Sequence, residues 1–125
     1  MRTTVSLITG FPDETPDDLR STVRLLIDSL RFDNVQGQFH LLAPLAGSAL
    51  HQQYRGRLIW DGIFSDMALQ GWRQDAADCA LILEHPEIFP NFYAVPTPLL
   101  ERNYLMELSQ FILYGLARFR WLVIA

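Results

Sequence analysis

Between Thr3 and Leu42 two strand-like segments flank one amphipathic helix, with only a few residues to join them. That order constrains the fold more than any other feature of the chain. Thr3–Thr9 (TTVSLIT) is rich in β-branched side chains and predicts a strand; with little alternation across Val5, Leu7 and Ile8, it predicts burial on both faces. Thr15-Pro16-Asp17-Asp18 predicts a helix start: Thr15 as N-cap, Pro16 in the first turn, and acids facing the positive end of the helix dipole. The helix should run to Leu30 or Arg31, with Leu19, Val23, Leu26, Ile27 and Leu30 on one face. Val35–Leu42 (VQGQFHLL) alternates apolar and polar side chains, as a strand with one polar face does. Strand, helix and strand with short links make a βαβ unit, so the two strands should be parallel neighbours.

The rest of the chain predicts mostly helix. Ala43–Ser48 is a turn, with Ser48 placed to cap a short helix through Tyr54. A weak strand signal covers Leu58–Trp60, and a helix is predicted over Asp66–Glu84, ended by His85-Pro86. HPEIFPNFYAVPTP (85–98) predicts an ordered coil pinned by aromatic packing. Thr97-Pro98 repeats the device at Thr15-Pro16 and predicts a helix to about Phe119, with Leu100, Tyr104, Leu108 and Phe111 on one face. The apolar run from Phe111 to Ala125 carries Arg118 and Arg120 and is shorter than the roughly 20 residues of a membrane span, so it is expected to be buried.

Composition removes several function classes. The ten basic residues are all arginine, scattered, and the net charge is −4, which gives no electrostatic footprint for nucleic acid. Without lysine there is no Schiff-base amine and no P-loop lysine. The single cysteine, Cys79, can form no internal disulfide and no cysteine-rich metal site; its surroundings of Ala76, Ala77, Ala80 and Leu81 predict a small buried hydrophobe. A reducing, cytoplasmic setting is expected, and no signal peptide follows Met1-Arg2.

In a parallel α/β sheet ligands bind beyond the carboxyl ends of the strands. This singles out two turns, GFPDET at residues 10–15 and APLAGS at residues 43–48. Turn chemistry alone explains a Gly-x-Pro sequence and acids before a helix, and that plain reading stands beside a ligand-binding one. The strings LITGFPDET and FHLLAPLAGSAL, in this order across one helix, resemble the fifth- and sixth-strand ends of the radical S-adenosylmethionine (radical SAM) barrel. Ile8, Gly10, Phe11, Pro12, Glu14 and Thr15 match the first pattern. Leu42, Pro44, Gly47 and Leu50 match the second, and Ser48 replaces its usual threonine. The region from 85 to 108 more loosely resembles the C-terminal extension of radical SAM enzymes that carry a cobalamin-binding domain.

The resemblance implies an α/β fold: a partial (β/α) TIM-type barrel fragment with the βαβ unit over residues 1–60, followed by a mainly α-helical extension over 61–125. It implies an S-adenosylmethionine pocket to which Ile8, Gly10, Phe11, Pro12, Glu14, Leu42, Pro44 and Gly47 contribute, and in the cobalamin-associated kind cobalamin as well. The family's [4Fe–4S] cluster needs three cysteine thiolates, and this chain has one, so the cluster would be held outside it. The chain would then be the C-terminal part of a longer enzyme, inactive by itself, whose partner is the missing N-terminal half of the barrel. The rival reading is a non-catalytic α/β module that binds a partner or itself through an open sheet edge. A third takes Glu14 and His40 as the acid and base of a small enzyme; for His40 a structural role is the plainer expectation. His51 and His85 lack partners at metal-ligand spacing, and Asp75 and Asp78 read as solvated helix charge. Neither a membrane nor a nucleic acid is expected as a partner.

Overall fold

The computed structural model describes residues 1–62 and 74–124. The protein is mixed α/β with a small parallel sheet of two strands. In chain order it contains β1 (Thr3–Thr9), α1 (Pro16–Ser29), β2 (Val35–Leu41), α2 (Ala49–Tyr54), α3 (Ala76–Glu84), a 3-10 turn at Pro90–Phe92, and α4 (Arg102–Ile124). It divides into two compact units, 1–40 with 97–125, and 41–96. The part of the predicted Asp66–Glu84 helix before Gln74 lies outside the described residues.

The first unit is the βαβ motif with α4. The start of α1 follows from its sequence: Thr15 is extended (φ −92°, ψ 163°), its hydroxyl accepts from the Asp18 N–H, and Asp18 accepts in return from the Thr15 N–H. This is a capping box with aspartate in place of the usual glutamate. Thr15→Ala should cost about 1 kcal/mol in urea unfolding. Hydrogen bonds from the Thr15 hydroxyl, and then from its backbone N–H, hold the Asp18 carboxyl below its ordinary value of 3.8. Because the folded value is depressed, the stabilisation is complete above 3.8 and is lost as pH falls through the folded value. Asp18→Asn should therefore flatten the acid-side fall in stability below pH 3.8, seen by comparing urea midpoints there with those at neutral pH.

Leu19 and Leu26 of α1 and its C-cap Leu30 are buried, and so are Val35, Phe39 and Leu41 of β2. Gly37 is where helix and strand come closest. A Cβ built on it would lie 2.6 Å from Leu26 Cδ1 and 3.1 Å from Leu30 Cδ2, so a side chain there would push both leucines aside.

Three expectations fail in this unit. β1 is not buried on both faces: Thr3, Thr4, Ser6 and Ile8 are exposed, Val5 and Leu7 half-buried, and only Thr9 is buried. With β2 as its single neighbour among the described residues, the strand has little to cover its second face. The helix expected from Thr97-Pro98 begins instead at Arg102. Thr97 Oγ1 donates to the Leu100 carbonyl at 2.6 Å, and the Leu100 N–H returns to the Thr97 carbonyl at 3.2 Å. These bonds close a turn where a helix cap was expected. The inward face of α4 is accordingly Leu105, Ser109 and Ile112, whereas Tyr104 and Phe111 are 51% and 75% exposed. Much of the C-terminal run is likewise exposed rather than buried: Leu113, Tyr114, Trp121 and Leu122 stand in solvent. α4 kinks at Phe119 (φ −127°, ψ 23°). Just beyond it, Arg120 Nη2 donates to the carbonyls of Leu30 (3.3 Å), at the C-cap of α1 where the helix supplies no donor, and of Phe32 (2.9 Å), which also accepts from the Val35 N–H at 3.0 Å.

The second unit holds α2, α3 and the aromatic coil. Ser48 caps α2 through the His51 N–H, and Asp75 caps α3 through the Asp78 N–H at 2.9 Å. Asp75 is thus a cap as well as a solvated charge. The strand signal at Leu58–Trp60 becomes one antiparallel bridge, with Ile59 and Ala94 exchanging both backbone hydrogen bonds at 2.8 Å. Tyr93, Ala94 and Val95 are buried, Trp60 packs on Tyr93 at 5.3 Å between ring centroids, and Phe89 meets Phe92 edge to face at 6.0 Å. Cys79 is half-buried rather than enclosed, since most of α3 around it is exposed.

Candidate functional site

The turn after β1 is organised by one carboxylate. Gly10 takes φ +93°, which an L side chain would strain, and so redirects the chain at the end of the strand. Pro12 and Asp13 then occupy the corners of a β-turn closed by the Glu14 N–H to the Phe11 carbonyl at 3.1 Å; the fixed φ of proline suits the first corner. The Glu14 side chain folds back under this turn. Its Oε2 accepts from the Thr9 hydroxyl (2.7 Å), the Gly10 N–H (2.5 Å) and the Phe11 N–H (3.3 Å). Glu14 is 7% exposed and Thr9 fully buried. Burying a carboxylate is costly unless donors surround it, and here three donors of its own turn do so.

That engagement sets what the turn can do. Glu14 serves as an internal clamp, so it is poorly placed to act as a general base toward a ligand. The Gly10 and Phe11 N–H groups point inward and are already used. Outward, beside the exposed Asp13, the turn offers apolar groups: Ile8 and Phe11 are 44% and 41% exposed, on a backbone that Glu14 holds fixed. A rigid turn with an exposed aromatic ring suits a flat, uncharged group.

The second turn is built the same way in miniature. Leu45 to Ser48 is a β-turn closed by the Ser48 N–H to the Leu45 carbonyl at 3.1 Å, with Gly47 at φ +76° in the corner that needs it. Pro44 is fully buried, Leu42 half-buried, and Leu45 59% exposed. The Gly47 N–H lies 3.4 Å from His51 Nδ1, and Gln52 Nε2 donates to the Gly47 carbonyl at 3.3 Å. Ile8, Gly10, Phe11, Pro12 and Glu14 therefore share one turn in the first unit, and Leu42, Pro44 and Gly47 another in the second.

His40 is 9% exposed near the end of β2, with Nε2 3.5 Å from Gln38 Oε1. Its enclosure fits the structural role. Among the described residues no three His, Cys, Asp or Glu side chains gather in a way that could hold a metal ion, and no helix is long and apolar enough to cross a membrane.

Two features escaped the sequence reading. Thr9 is the hydroxyl donor that completes the Glu14 clamp; its signal was a threonine at the strand end, next to the turning glycine and five residues before the acid. The other is an apolar groove of about 850 Å³ between α1 and α4, lined by Val23, Ile27, Phe111, Ile112 and Phe119 among others. It lacks the convergent buried polar groups that orient a small ligand. No protein-family model matches this chain, and neither do any of the curated proteins or solved structures compared with it.

Proposed function

We propose that the Gly10–Thr15 turn is a nucleoside cradle, contributed by this chain to the S-adenosylmethionine pocket of a radical SAM-type enzyme. On this reading the two-stranded sheet is part of a (β/α) barrel completed by residues outside the chain. One observation carries it: the Glu14 carboxylate pins Thr9, Gly10 and Phe11 from beneath, which leaves Ile8 and Phe11 exposed on a preorganised turn. An adenine ring lying on Phe11 and Ile8 would gain stacking and apolar burial without disturbing any hydrogen bond of the turn. The role of these residues is binding and orientation, with Phe11 shielding one face of the base from water.

The residues present do not fit an iron–sulfur cluster. With Cys79 as its one cysteine, the chain cannot supply the set of thiolates such a cluster takes, and no redox step is assigned to it. The test is saturation-transfer NMR on the full chain with S-adenosylmethionine and with adenosine. Saturation should be strongest at the adenine protons for both, and Phe11→Ala should weaken binding about 5- to 100-fold. Equal binding by wild type and Phe11→Ala, or saturation confined to the methionine part, would overturn the reading.

A further inference from the structure

A different surface, independent of the nucleoside reading, carries a second function. On the wall that α4 presents to its groove with α1, away from the buried Leu105 and Ser109, stand Glu107, Phe111, Tyr114 and Arg118, all exposed. Their spacing of four, three and four residues is that of a helix–helix seam. The order of these side chains makes the seam self-complementary. Glu107 and Arg118 are equidistant from a midpoint between Ile112 and Leu113, and so are Phe111 and Tyr114. All four precede the kink at Phe119, so they lie on one regular stretch of helix. Glu107 and Arg118 are about 16 Å apart along it.

We propose that this face is a two-fold symmetric dimer interface, with α4 packing antiparallel against α4 of a second copy of the chain. A two-fold contact must use the same patch on both subunits. In the antiparallel register Glu107 faces Arg118 of the second copy and Arg118 faces its Glu107, which gives two opposite-charge pairs. Between them Phe111 lies against Tyr114 of the second copy, twice over. The aromatic rings, 75% and 65% exposed in the single chain, become the apolar centre, and the charges form its ends, as at most interfaces. Parallel packing would set Glu107 against Glu107 and Arg118 against Arg118, so the charge order selects the antiparallel arrangement. Among the described residues no salt bridge within the chain competes for Glu107 or Arg118.

The test is sedimentation equilibrium of the full chain from micromolar to submillimolar concentration, with charge-reversed variants. Wild type should show a reversible monomer–dimer equilibrium. Glu107→Arg and Arg118→Glu, each placing like charges together at both ends, should each weaken it at least about tenfold. An equimolar mixture of the two variants should recover the wild-type affinity as a heterodimer, because each then meets its opposite charge. The double variant E107R/R118E should also dimerise as the wild type does. Circular dichroism confirms that the variants keep the helix content of the wild type, as expected for exposed positions. A wild type that stays monomeric throughout, single reversals without effect, or a mixture and double variant that both stay as weak as the single reversals would overturn the proposal.

Discussion

Glu14→Ala should lower unfolding stability by about 2–4 kcal/mol, whereas Glu14→Gln should cost only about 1 kcal/mol. The difference follows from how the carboxylate is used. All three donors, the Thr9 hydroxyl and the Gly10 and Phe11 N–H groups, converge on one oxygen, Oε2. A glutamine can place its carbonyl oxygen there and keep the three bonds, giving up only the added strength of a charged acceptor. Alanine removes the acceptor altogether. It strands a hydroxyl on a fully buried threonine, together with two N–H groups of a turn whose glycine sits at positive φ. Thr9→Val, which deletes a single donor at nearly constant shape, should fall below alanine in cost. Urea unfolding of the three variants at neutral pH measures the order. A Glu14→Ala protein as stable as wild type would show that the turn holds without its clamp.

The second large effect lies where α1 meets β2. Leu26→Ala should cost about 2–5 kcal/mol, because Leu26 is 1% exposed and its removal leaves a cavity. Gly37→Ala should cost about 1–3 kcal/mol by overpacking, since the new methyl would lie 2.6 Å from Leu26 Cδ1 and force that buried side chain to shift. The two changes should not add. In the Leu26→Ala background the methyl enters space the leucine has vacated, so the double variant should be more stable than the sum by about 1–2 kcal/mol. Additive costs in a double-mutant cycle by urea unfolding would mean that the two side chains do not compete for one volume.

What was legible in the sequence was local. Thr15-Pro16-Asp17-Asp18 and Ser48 announce their helices because a cap acts within four residues, and β1, α1, β2 and α2 lie within a residue or two of where they were expected. What was not legible depended on partners in space. The exposure of β1 is set by how many strands and helices cover it, which its own β-branched residues do not encode. The phase of α4 was misread because Thr97-Pro98 has the residues of a cap and the geometry of a turn. Its true inward stripe also contains Ser109, which an apolar pattern passes over in favour of Tyr104 and Phe111. At the candidate site, Gly10, Pro12 and Glu14 could be singled out from turn chemistry. That Glu14 turns inward onto Thr9 is a matter of backbone direction at Gly10. Gly37 looked like one position in an alternating strand, and only the packing of Leu26 and Leu30 gives its reason.

The claim that the Gly10–Thr15 turn is a nucleoside cradle is tested most directly by backbone amide NMR of the labelled full chain titrated with adenosine. The account predicts saturable shifts at Ile8, Gly10, Phe11 and Thr15, diminished in Phe11→Ala and absent from α4. Shifts centred on the groove between α1 and α4, or none at the turn at millimolar adenosine, would contradict it.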